Sequence, residues 1–118
     1  MQGESDSFST EHATKYETHL SNFIKDIRKE FSKYSSNDKI AFIDATIANN
    51  PAFWVYCDLI NQSKNKVAKE SKFNRLIDTS NLIYSNEPFD NPDRAHYDSL
   101  SEIKLGHMFI EELANFLE

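Results

Sequence analysis

The sequence predicts an all-α protein, a single compact bundle of about five helices with one long acidic loop before the C-terminal helix. Glycine and proline together number five in 118 residues, too few for a sandwich or barrel that must turn at every strand end. Apolar residues recur at three- and four-residue intervals along much of the chain, the period of helices with one buried face. Fifteen aromatics, nine of them Phe, supply enough apolar area for one core without disulfides or metals.

Residues 1–8 are polar and read as a flexible tail, with none of the basic and apolar stretches of a secretion signal. The single helical domain then runs from 9 to 118. Ser9 is placed to cap a first helix, on which Ala13, Tyr16, Leu20, Phe23, Ile24, Ile27, Phe31 and Tyr34 fall within a stripe about 100° wide. The cluster Ser35-Ser36-Asn37 ends it and begins a second, with Ile40, Ile43 and Ile47 in line and Ala41, Ala45 and Ala48 beside them. Asn50 and Pro51 suit the cap and first position of a third helix. Phe53 to Cys57, Leu59 and Ile60 surround that helix on all sides, which places it mid-core. A strand over Phe53 to Cys57 is the competing reading, set aside because no partner strand is visible.

After the basic stretch Ser63 to Lys72, the residues Phe73, Leu76, Ile77, Leu82 and Ile83 predict a fourth helix reaching Tyr84. Pro88, Pro92 and their polar neighbours make 85–95 a loop, long enough to be functional. The closing helix starts near Ser99 with Ile103, Ile110, Leu113 and Leu117 on its main face and Leu105, Phe109 and Phe116 widening it. Gly106 lies on that face as a notch where another helix could approach.

Charge gives the chain its functional lead. From Thr79 onward there are eight acids against Arg94 and Lys104, which accounts for the whole net charge of −6. The first 78 residues balance, with eleven of each sign. A one-ended field of this kind steers a basic partner. The expectation is therefore a non-enzymatic, protein-binding inhibitor of the immunity-protein, antitoxin or phage-inhibitor type, aimed at a nuclease or nucleic-acid-binding factor. Its contact residues would be Glu87, Phe89, Asp90, Asp93, Tyr97, Asp98, Glu111 and Glu112, with Phe89 and Tyr97 as aromatic anchors.

Two alternatives stand beside it. Lys64, Lys66, Lys69, Lys72 and Arg75 could grip phosphates, the last three in line on a helix, although the overall acidity makes nucleic acid an unfavoured partner. The seam of the first helix could instead join two copies in a dimeric scaffold.

Catalytic chemistry is weakly marked. In the acidic loop His96 could act as a base with Asp93 or Asp98 orienting it, but no Ser, Cys or Thr stands in a nucleophile context. No catalytic residue is therefore assigned. His12 and His19 are about 10 Å apart along their helix. His107 and Glu111 have ligand spacing without a third ligand, and the acidic loop has Pro92 and Ala95 where a calcium loop needs an oxygen and a glycine. No metal or cofactor is expected. Cys57 cannot form an internal disulfide and reads as a small hydrophobe in a reducing compartment. With no apolar run near 20 residues, the expectation is a cytoplasmic protein without a membrane span.

Overall fold

A strand, a helix and a second strand occupy the middle of the chain, where the sequence predicts helices throughout. The structure, a computed structural model, describes residues 2–35, 39–85 and 95–117. In chain order these residues form a short 3-10 turn (Ser5–Phe8), α1 (Thr10–Glu30), β1 (Phe42–Ala45), α2 (Cys57–Ala68), β2 (Asn74–Ile77) and α3 (Ser99–Leu117). The strands are parallel, with Phe42 opposite Asn74 and Ala45 opposite Ile77. The all-α bundle is thus corrected to an α/β arrangement of three helices and a two-stranded parallel sheet.

The correction has a physical cause. Each strand has only four residues, too few for an alternating pattern to show, and the apolar residues in and around them fall at intervals that also suit a helix. Ile40 to Ala48 and Phe73 to Ile83 therefore read as helices when taken alone. Conversely, Phe53 to Tyr56, the stretch with the most strand-like composition, forms turns that lead into α2.

Side chains alternate across the sheet. Asp44 and Asn74 turn toward α2, where Asn74 Nδ2 donates to the Val67 carbonyl at 2.7 Å. Ala45 and Ile77 turn the other way and pack with Leu82, Tyr97 and Leu105 of the α3 side. A second core cluster, Ala13, Tyr16, Ile47, Cys57 and Ile60, joins α1 to α2. Trp54 is packed against both clusters. Arg28 ties α1 to β2 and to the segment leading into β1, donating to Asn74 Oδ1 at 2.7 Å and to the Ile40 carbonyl at 3.0 Å.

Lys64 is the largest fully buried side chain. Its Nζ lies 3.0 Å from Asp44 Oδ2 and donates to the Ala45 carbonyl at 2.7 Å. Phe42 and Thr46 donate to Phe73 and Ile77, so by alternation Ala45 presents its backbone to the opposite edge of β1. There its N–H is taken by Asp44 Oδ1 at 2.8 Å and its carbonyl by Lys64. The outer edge of β1 is closed by side chains at this point.

The segment before Ser9, expected to be a free tail, is packed. Ser7 is buried, its carbonyl accepts from Tyr56 N at 2.9 Å, and Gly3 adopts φ +127° against Ile60 and Tyr16, where a Cβ would come within 2.8 Å of Ile60 Cγ2. Ser9 does cap α1, accepting from His12 N, but α1 stops at Glu30, short of Phe31 and Tyr34. The face of α3 is also corrected. Ile103, Ile110, Leu113 and Leu117 are exposed, and the sheet is met by Leu105, with Met108 and Phe109 beside it. A Cβ on Gly106 would touch nothing within 4 Å, so that residue is no packing notch. No helix among the described residues is long and apolar enough to cross a membrane.

Candidate active site

Ligands of parallel α/β sheets bind in the crevice beyond the carboxyl ends of the strands. In this chain the strands end at Ala45 and Ile77, and just past them lies a hydroxyl cluster. Thr46 Oγ1 accepts from Thr79 N at 3.0 Å, Thr79 Oγ1 donates to the Thr46 carbonyl at 3.1 Å, and Tyr97 Oη donates to Thr79 Oγ1 at 2.9 Å. Burial pushes the Tyr97 phenol above its ordinary range, and the Thr79 hydroxyl partly offsets the rise. Tyr97 is thereby held as a neutral donor, fixed to the strand ends.

His96 precedes this anchor. Its own carbonyl accepts from Ser85 N at 2.8 Å, Tyr97 forms an antiparallel bridge with Tyr84, and the two tyrosine rings stack at 5.9 Å. Asp98 N then donates to the Ile83 carbonyl at 2.8 Å, and Asp98 Oδ1 caps α3 by accepting from Ser101 N at 2.7 Å. An exposed imidazole thus stands immediately before a buried tyrosine and a helix cap. It lines a cavity of about 180 Å³ together with Glu4, Ala48, Trp54 and Glu102. Phe8 packs on Trp54 at 5.4 Å, and the indole Nε1 is buried with no hydrogen-bond partner among the described residues.

Two other cavities differ in character. One of about 240 Å³ is lined by Thr46 and Thr79 themselves, with Asp58, Asn61 and Asp78 at its border. There Asn61 holds Ile47 through both its backbone groups at 2.9 Å, accepting from the N–H and donating to the carbonyl. A larger groove of about 640 Å³ runs between α1 and β1, lined by Tyr16, His19, Leu20, Phe23 and Phe42. Its size exceeds that of the His96 cavity, but it is mainly apolar and borders the strand's side, away from the strand ends where loops converge. Chemistry is better placed at His96.

The residues expected to bind a partner do not form one surface. Glu87, Phe89, Asp90 and Asp93 lie outside the described residues. Tyr97 is buried, Asp98 caps α3, Glu111 is exposed and Glu112 faces Arg75 at 3.8 Å. The basic set is likewise dispersed. Lys64 is interior, Lys66 pairs with Glu17 at 3.2 Å, and Arg75 on β2 lies over the Phe116 ring at 4.6 Å. Since α2 ends at Ala68, Lys69, Lys72 and Arg75 share no helix face, which corrects that reading. His12, His19 and His107 are exposed, and no group of three or more potential metal ligands occurs among the described residues. Glu4, Trp54 and Glu102 escaped sequence reasoning. Only recognition of the β1-α2-β2 crossover could have pointed to them, through the crevice at its strand ends.

The family model described as carbohydrate esterase, sialic acid-specific acetylesterase, matches residues 1–115. No curated protein and no solved structure matches the chain. The family match overturns the expectation of a non-enzymatic inhibitor, immunity protein or antitoxin, together with its nucleic-acid-binding and scaffold alternatives. It indicates a hydrolase. Sequence reasoning weighed a His96-centred hydrolase and dropped it for want of a nucleophile in a known context, a criterion that a 118-residue chain need not meet within one short motif.

Proposed function

Because the chain belongs to this carbohydrate esterase family, we propose that it takes part in hydrolysis of an acetyl ester on a sugar, with His96 as the proton-transfer residue. One observation supports the assignment. His96 lines a cavity with Tyr97, whose hydroxyl is anchored to Thr79 two residues past β2, and so stands near the strand ends where α/β folds place their reacting groups.

The chemistry follows from the imidazole. Acting as a base, His96 takes the proton of an oxygen nucleophile as that oxygen adds to the acetyl carbonyl. The tetrahedral intermediate then collapses, its carbon–oxygen bond to the sugar breaks, and the imidazolium returns the proton to the departing sugar oxygen. With water as the nucleophile, acetate and the free sugar hydroxyl result directly; with a side-chain hydroxyl the acetyl group stays on that oxygen, and a second round in which His96 activates water releases it as acetate. The described lining contains no Ser, Thr or Cys, so the attacking oxygen is water or a hydroxyl from outside that lining.

An imidazole in this role needs a partner that fixes its orientation. Of the two carboxylates considered from the sequence, Asp98 already accepts from Ser101 N. The other, Asp93, lies outside the described residues, and its place three residues before His96 in the sequence makes it the carboxylate we propose for the test. Acetate release from acetylated sugars tests the reading. His96→Asn should lower kcat by about 10²- to 10⁴-fold, with the melting temperature nearly unchanged because the side chain is exposed. Asp93→Asn should also lower kcat, by at least about tenfold. A His96→Asn protein within twofold of the parent removes His96 from the chemistry.

A further inference from the structure

We infer that the exposed face of α3 joins two copies of this chain as an antiparallel helix pair. Ile103, Gly106, Ile110, Leu113 and Leu117 follow one another at intervals of three, four, three and four residues, the spacing of the contact positions in a coiled coil. The four that carry side chains are between 43% and 81% exposed. With Ala114, also exposed, they cover an arc about 100° wide, centred about 130° round the helix from Leu105, which meets the sheet. The seam therefore points away from the body of its own chain, and two copies can meet along it without their bodies colliding.

Charge and shape both favour a second copy as the occupant. The charged residues of α3, Glu102, Lys104, Glu111 and Glu112, all fall outside the arc. In a chain of net charge −6, self-contact needs such an uncharged stripe, because acidic surfaces repel one another. The seam also fits its own reverse. Two parallel copies would set Gly106 against Gly106 and leave a gap. Turned about a two-fold axis midway between Ile110 and Leu113, Ile110 of one copy faces Leu113 of the other, and Leu117 closes on the bare backbone at Gly106. The same turn opposes the two helix dipoles, which suits a helix with no cation in its last turn. The four side chains expose roughly 450 Å² per copy, and with the flanks at Gly106, His107 and Ala114 a pair buries about 1,200 Å², the lower end of specific interfaces.

Sedimentation equilibrium of the full chain from about 1 to 300 µM tests the pairing, with the mass expected to rise from 13.7 kDa toward twice that value. Ile110→Glu/Leu113→Glu should remain at the single-chain mass throughout, while its circular dichroism and urea midpoint stay close to the parent's, since both positions are exposed. Orientation is read on non-reducing gels, where Gly106→Cys/Leu117→Cys should form a disulfide-linked dimer and Gly106→Cys alone should not; the native Cys57 is buried and does not compete. A parent that stays at the single-chain mass up to about 300 µM, a double glutamate variant that still associates, or a dimer linked through Gly106→Cys alone overturns the inference. None of these readouts depends on acetate release, so the esterase reading stands or falls separately.

Discussion

Replacing Lys64 by Met removes one ammonium from the interior while keeping most of its stem. The parent side chain is fully buried and its Nζ serves Asp44 at 3.0 Å and the Ala45 carbonyl at 2.7 Å. The variant leaves that carbonyl without its donor, at a cost of about 1–3 kcal/mol, and removes the Lys64 charge from beside the Asp44 carboxylate. Breaking a buried pair from one side costs about 3–5 kcal/mol altogether. Asp44 is 12% exposed and keeps its bond from Ala45 N, so the lower half of that range applies. About 3 kcal/mol corresponds to a fall in melting temperature of roughly 10–15 °C for a domain of this size. Urea unfolding followed by circular dichroism reads the loss directly. Adding Asp44→Asn to Lys64→Met should recover about 1–2 kcal/mol, since the amide oxygen can still accept from Ala45 N without a buried charge. A loss below about 1 kcal/mol in the single variant, or no recovery in the double one, refutes the view that this pair holds β1 to α2. The pH dependence gives a second reading. Burial lowers the Lys64 pKa from 10.5 even though Asp44 opposes the shift. The unfolded chain therefore binds more protons just below pH 10.5, and the stability contributed by this group rises toward that pH and is lost as pH falls through the folded value. The Met variant lacks that rise.

Gly106→Ala should stabilise the protein by about 0.5–1 kcal/mol, measured by the same urea titration, because the added methyl meets open space within a helix; a destabilised variant would contradict the exposed placement of that face. Cys57 is buried and its thiol is pushed above its ordinary 9.0, chiefly by burial, so a thiol reagent near pH 8 should label it at the rate of unfolding, and immediate labelling of folded protein would contradict its burial. Tyr16 is raised well above 10.0 by burial and then by the Asp44 carboxylate; its contribution is intact below pH 10 and lost as pH climbs through the folded value, so Tyr16→Phe should flatten the alkaline fall in urea-derived stability above pH 10.

What the sequence disclosed depended on how local each signal was. Ser9 and the apolar line from Ala13 to Ile27 marked α1 correctly, because cap and stripe lie within one element. The start of α3 near Ser99 was equally visible, yet its buried face was not. That face is chosen by a narrow sheet which Leu105 and its neighbours cover, leaving Leu100 at 79% and Leu117 at 81% exposure. The strands were hidden for a different reason. Each has four residues, and their hydrogen-bonding partners lie on the far side of an entire helix. His96 was recognised as a possible base, but its setting depends on Glu4 and Trp54, which only the folded chain brings beside it. Asp98 shows the ambiguity of a lone acid, since a helix cap and a catalytic carboxylate look alike in sequence.

The pairing of β1 with β2 has a kinetic consequence. Every rung joins residues 32 positions apart, from Phe42 with Asn74 to Ala45 with Ile77, so no rung can close before α2 has bridged the gap. Lys64 then roots that helix in the strand it follows. Opening the sheet and releasing the helix become a single event, and the amides of Phe42 and Thr46 should exchange with deuterium only as fast as those in the middle of α2.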